Sequence, residues 1–245
     1  MRTMRIAVLA SGSQANGYVI QNEQEAVVLE CGCSLTDAQN ALGFNTAKVS
    51  AVFVTHEHGD HARYVAKYAQ LMPVYMTGGT ADALRMRGQY NIHVIERKKQ
   101  FQVGNFKVLP FATIHDATEP CGYIIQHPEI GVLMFATDTR DIGYTFKDMD
   151  YIMLECNYDE KLLNENIRSG KLNYNVGDRI KNSHMSIARC VKILKDNDLH
   201  KVKGIMLLHL SHDNSDRKNF VARIKRNTGK FVVAAEKGLE MEFII

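Results

Sequence analysis

The amino-acid sequence predicts an α+β protein of two sheets with helices outside them. Strand-length apolar runs recur from end to end, and helical patterns separate some of them while turn residues join others, so the order is mixed rather than a regular βαβ alternation. No Pro/Gly/Ser-rich linker, low-complexity stretch or fixed-period repeat interrupts the 245 residues, a length that can bury the core of a single domain, 1–245.

Apolar runs place strands at 6–10, 18–21 and 26–30. Ser34 opens a helix over 34–42, strand 51–55 precedes a helix over 62–70, and strand 74–77 precedes one over 80–87. Gly78-Gly79 reads as a turn and Gly88 as the cap closing that helix. Strands follow at 93–96, 106–111, 121–127, 131–137 and 151–155. A helix at 178–181 is extended by 186–197, where Ser183 or Ser186 could serve as the cap. Strand 204–210, helix 215–226 and strands 231–235 and 239–244 complete the chain. The charged, asparagine-rich segment 158–181 has no clear core stripe; it is a candidate lid or substrate-contact insertion, and a surface helix pair fits it equally.

Thr55-His56-Glu57-His58-Gly59-Asp60-His61 packs four potential metal ligands behind the apolar run Ala51-Val52-Phe53-Val54. On an extended turn leaving a strand, His56 and His58 point to one side while Asp60 and His61 address a second position. Two ions roughly 3.5–4 Å apart can hold both the attacking and the leaving oxygen of a displacement. A polar loop with solvated histidines needs no such density of ligands.

The run resembles the signature of the metallo-β-lactamase fold superfamily, which implies a four-layer αββα sandwich and three further ligands, each at a strand end. His115 follows 106–112, Asp138 follows 132–137, and His209 closes 204–208. The resemblance assigns His56, His58 and His115 to one metal and Asp60, His61 and His209 to the other, with Asp138 bridging. Ligands without thiolate suit zinc or manganese, and a water shared by two divalent ions becomes a hydroxide nucleophile near neutral pH. Metal-dependent hydrolysis is therefore expected.

Glu155, ending the strand-like Tyr151-Ile152-Met153-Leu154, and His184 in Ser183-His184-Met185-Ser186 look like the acid and histidine elements of phosphodiesterase branches, ribonuclease Z among them. The chain is most similar to the YycJ (WalJ)-type branch through Ser11-Gly12-Ser13-Gln14-Ala15-Asn16, Pro120-Cys121-Gly122-Tyr123 and His209-Leu210-Ser211-His212-Asp213-Asn214. That branch implies an exonuclease acting on DNA, with Asp60, Glu155 and His184 catalytic. The chain departs from the Asp-Ala-Gly turn that many such relatives carry, with Glu30-Cys31-Gly32-Cys33 in its place, where Glu30 would keep the acid's hydrogen-bonding role.

A small-substrate phosphodiesterase on cyclic nucleotides, its pocket open to completion by a second subunit of a homodimer, is the nearest rival, ahead of a lactonase or thioesterase; a binding module without catalysis needs no open two-metal centre. Net charge +3 permits a nucleic acid or nucleotide partner without demanding a long polyanion. Five cysteines without a C-x-x-C pair argue against a disulfide framework or zinc ribbon, and Cys31 and Cys33 read as small buried side chains. No run is long enough to span a membrane and residues 1–10 lack a signal layout, so a cytoplasmic protein is expected. Outside this scheme, His93, His127 and His200 read as surface residues, and His212 as a second-tier phosphate contact.

Overall fold

The structure is a computed structural model and describes residues 4–243. Its residues form two mixed sheets flanked by helices, the α+β class expected. They divide into two compact units, Met1–Ala112 with Ala117–Gly131 and Ala235–Ile245, and Thr113–Asp116 with Val132–Ala234.

In the first unit β1 (Arg5–Ala10), β2 (Gly17–Gln21) and β3 (Ala26–Leu29) pair antiparallel. β4 (Val49–Phe53), β5 (Val74–Thr77) and β6 (Ile92–Ile95) continue from β3 in parallel. β3 is buried along its whole length, which is why it reads as unbroken Ala-Val-Val-Leu rather than as an alternation. The final strand of the chain, β14 (Glu240–Glu242), pairs antiparallel with β1; residue 244, the end of the strand expected at 239–244, lies outside the described residues. β7 (Phe101–Val103), β8 (Phe106–Ala112) and β9 (Cys121–His127) form an antiparallel run. β7 escaped the sequence reading because it is three residues long and nowhere fully buried.

The helices of this unit are α1 (Leu35–Ala41), α2 (Gly59–Ala62), α3 (Val65–Tyr68) and α4 (Gly78–Ala83). Ser34 and Asp37 cap α1 reciprocally. Where one helix over 62–70 was expected, two single turns stand. The Tyr64 N–H bonds to the Cys31 carbonyl at 3.0 Å instead of continuing a helix, and the break falls there. His127 is not a surface residue: it is 2% exposed, with Nε2 3.0 Å from Glu25 Oε1 and its ring stacked on Phe106.

The second unit holds four parallel strands, β10 (Gly131–Ala136), β11 (Tyr151–Glu155), β12 (Gly204–Leu208) and β13 (Phe231–Ala234). Its helices are α5 (Glu160–Arg168), α6 (Tyr174–Ser183), α7 (Ile187–Asp196) and α8 (Arg217–Thr228). The segment 158–181 is thus largely helical, α5 capped by Asp159 and α6 by Asn173. Its asparagines and aspartates are helix caps as much as polar surface. α5 buries only Leu163, and α5 approaches α6 so closely that a Cβ on Gly177 would lie 2.4 Å from Ile167. Between α6 and α7 the chain is extended through His184, and Ser186 is the residue that caps α7.

Candidate metal centre

His56 and His58 follow the parallel strand β4, and Asp138 and His209 follow the parallel strands β10 and β12, the edge at which such sheets present functional groups, while His115 follows the antiparallel β8. Thr55 follows β4, and its amide bonds to Glu30 Oε2 at 3.2 Å while its hydroxyl lies 2.8 Å from His56 Nδ1. His56 and His58 are on the extended segment anticipated, but Asp60 and His61 are not: they occupy the first turn of α2. That turn brings the His61 ring to 4.2 Å from His56, and His58 lies 4.7 Å from His56, centroid to centroid.

Two other chain segments, at Asn16 and at Cys31-Gly32, lock this turn. The Asn16 N–H bonds to the Asp60 carbonyl at 2.8 Å, the Gly32 N–H to the Asn16 carbonyl at 3.1 Å, and the Cys31 N–H to the His61 carbonyl at 2.7 Å. Gly32 is obligatory here, since a Cβ would fall 1.7 Å from the Asp60 carbonyl oxygen. The Asn16 side-chain amide, fully buried, lies 3.3 Å from Asp60 Oδ2 and 3.0 Å from His61 Nε2. Glu30 Oε1 lies 3.4 Å from His61 Nδ1, the orienting contact expected of an acid at this position. Sequence reasoning saw Asn16 only as a letter in a motif; its contacts arise from pairing across 44 residues, which no local pattern reports.

In the second unit Asp138, Glu155 and His209 stand at or just beyond the ends of β10, β11 and β12, whose parallel register sets Ala136 beside Leu154 and Glu155 beside Leu208. Glu30, Asp138 and His209 all have left-handed backbones, with φ of 68°, 43° and 53°. A non-glycine residue held there costs of order 1–3 kcal/mol, a cost that concentrates where function fixes the geometry. His184 joins this cluster from the α6–α7 junction, with Nδ1 2.6 Å from Glu155 Oε1. Glu155 is fully buried, and its Oε2 also accepts the Thr139 and Met185 N–H groups at 2.6 and 3.2 Å. One donor atom each of Asp138, Glu155, His184 and His209 falls within 4.8 Å of all the others.

The electrostatics are consistent with this packing. Burial opposes a charge on His184, but the Glu155 carboxylate outweighs it and the imidazole is raised above its ordinary value. Burial would raise Glu155, yet His184 holds it below the usual range. Burial lowers His115, against Asp138, and keeps it neutral. His115 Nδ1 lies 2.8 Å from the Ser183 carbonyl, which can only accept, so Nδ1 carries the proton and Nε2 the lone pair. That lone pair stands 3.7 Å from Asp138 Oδ2 and 3.3 Å from Asp116 Oδ1. Acceptors facing acceptors call for a cation among them. His209 Nδ1 lies 3.3 Å from Asp138 Oδ1, and Asn157 donates to the His209 carbonyl at 2.8 Å, a second positioning residue that the sequence reading missed. All five cysteines are buried thiols, so the donor set is imidazole and carboxylate, suited to borderline divalent ions.

A family profile described as a β-lactamase superfamily domain matches residues 25–210. The chain belongs to this superfamily. Among its superfamily relatives, the exodeoxyribonuclease YycJ of Bacillus anthracis is 29% identical over 236 residues, covering 86% of this chain and 84% of the relative. The metallo-β-lactamase fold protein YhfI of Bacillus subtilis superposes with a TM-score of 0.75 at 16% identity, covering 98% of this chain and 99% of that one. The short form of human tRNase Z superposes with a TM-score of 0.64 at 15% identity over 99% and 100% of the two chains. This superfamily member has the metallo-β-lactamase fold and is a metal-dependent hydrolase. No helix among its described residues is long and apolar enough to cross a membrane.

Proposed function

We propose that the chain is a phosphodiesterase working with two divalent ions, zinc or manganese, and that its substrate is nucleic acid, hydrolysed as by an exonuclease on DNA. The observation that carries this reading is the buried Glu155–His184 pair beside Asp138 and His209, an acid–base element that ester or lactone hydrolysis does not require. The name of the YycJ relative, an exodeoxyribonuclease, supports the choice of substrate.

In this reading His56, His58 and His115 would hold one ion and Asp60, His61 and His209 the other, and Asp138 would be a ligand as well. When bound, the ions supply a polarised phosphoryl oxygen and an acidified water. The rest falls to the chain's own groups. Ser183 fixes the tautomer of His115 so that it offers Nε2, and the Glu30 carboxylate lies 3.4 Å from His61 Nδ1, on the side of the ring away from Nε2. The Asn16 amide donates to Asp60 Oδ2 and fixes the orientation of that carboxylate. Glu155 accepts a hydrogen bond from the His184 Nδ1–H and stabilises the imidazolium, which gives its Nε2 proton to the departing strand oxygen and is left as neutral imidazole.

A side-by-side panel of end-labelled single- and double-stranded DNA, RNA and cyclic mononucleotides, with manganese or zinc added, tests this. Strand degradation by the wild type and its loss in His184→Ala is the expected result. Turnover confined to cyclic nucleotides would overturn the nuclease reading in favour of an enclosed small-molecule pocket.

A further inference from the structure

α6 ends on the two groups that the proposed chemistry uses. Its last residue, Ser183, gives its carbonyl to His115, and its C-cap is His184. One and two turns back toward the N-terminus, on the same stripe as Ser183, stand Arg179 and Val176, both exposed. The Ser183 hydroxyl bonds to the Arg179 carbonyl at 2.7 Å, tying that turn to the end of the helix. Arg179 therefore lies about 7.5 Å along the axis from His184, at 1.5 Å per residue.

Its guanidinium donates through Nε to Asp116 Oδ2 at 2.7 Å, while the other oxygen of the same carboxylate is 3.3 Å from His115 Nε2. Arg179 is 62% exposed and Asp116 42%. An ion pair that open to water adds little to the fold. Its placement has another use: a planar cation matched to oxyanions stands at the solvent side of the segment carrying His115 and on the helix that delivers His184.

We propose that Arg179 binds a backbone phosphate of the substrate strand neighbouring the scissile one, and that Asp116 holds the guanidinium until that phosphate takes it. This rests on the nuclease reading and specifies how the strand is held. Because Asp116 competes for the same cation, it sets the affinity for phosphate in the opposite sense to Arg179. A pair that served only the fold would respond alike to loss of either partner.

The test is fluorescence anisotropy of the metal-loaded protein with a labelled, hydrolysis-resistant phosphorothioate DNA strand across a salt series. Arg179→Ala is expected to weaken binding about tenfold, as for loss of one charge-assisted phosphate contact. It should also lower the slope of log affinity against log salt by about one. Asp116→Asn, loaded to the wild-type metal content because its Oδ1 also faces His115 Nε2, is expected to tighten binding. Bis(4-nitrophenyl) phosphate, a small diester with no neighbouring phosphate, reports hydrolysis by the wild type independently of strand binding. Wild-type affinity and salt slope in Arg179→Ala, or weakening in both variants together, would overturn the assignment while leaving a wild type that degrades DNA as a nuclease. A wild type that hydrolyses the small diester but neither binds nor cuts a strand would overturn both.

Discussion

Glu30 reaches His61 from a left-handed backbone position at the end of β3, and its carboxylate contacts both the Thr55 amide and the His61 ring. Removing its charge while keeping its shape isolates that contact. Glu30→Gln is expected to lower metal affinity about 10–100-fold, read by competition with a chelator, with the fold unchanged by circular dichroism. His184 predicts the converse separation: His184→Ala should keep its metal and slow strand hydrolysis by about 10²–10⁴-fold. Normal turnover in that variant would reduce the Glu155–His184 pair to a structural one. At this scale the sequence was most legible for His56, His58, Asp60 and His61, because all four lie within one short run. Asn16 and Asn157 were not legible, because each owes its meaning to a partner more than 40 residues away.

At the scale of elements, strands were easier to read than the helix breaks. β11 was anticipated to the residue because its five apolar-to-acid positions are buried on both faces of a parallel sheet. The helix beside the first ligands was misjudged where the backbone found a bond outside it: the Tyr64 amide leaves for Cys31 and divides α2 from α3. The interruption between the pieces expected at 178–181 and 186–197 does stand, with His184 extended between α6 and α7. Ser186 restarts the chain by accepting from the Arg189 N–H at 3.2 Å, and Ser186→Ala is expected to cost about 1 kcal/mol in denaturant unfolding. Glu25 ties the start of β3 to Asn105 in the β7–β8 turn and to His127 at the end of β9. Burial pushes its carboxyl up, but the hydrogen bonds from Asn105 and His127 prevail and leave it lowered. A depressed folded value stabilises above the ordinary carboxyl value of about 4.3 and is lost as pH falls through the folded one. Glu25→Gln should accordingly melt lower than the wild type at neutral pH, the difference closing in acid. A constant difference across the whole range would show that ionisation of Glu25 is not its source.

For the whole molecule, an ion held by native ligands and not by the unfolded chain adds to stability by mass action. Dialysis against a chelator is expected to lower the melting temperature, and zinc or manganese to restore it; Asp138→Asn should abolish both the restoration and hydrolysis. The sequence by itself determined the family, the α+β class and the identity of the candidate ligands, since these follow from residue types at strand ends and from apolar periodicity. Only the tertiary structure decided what surrounds them: the helical turn beneath Asp60 and His61, the carbonyl that fixes His115, the amide of Asn16 and the Arg179–Asp116 pair. Periodicity records which face of an element is buried. It carries no record of which distant donor meets which acceptor, and in this molecule those meetings set the tautomers, charges and orientations of the site.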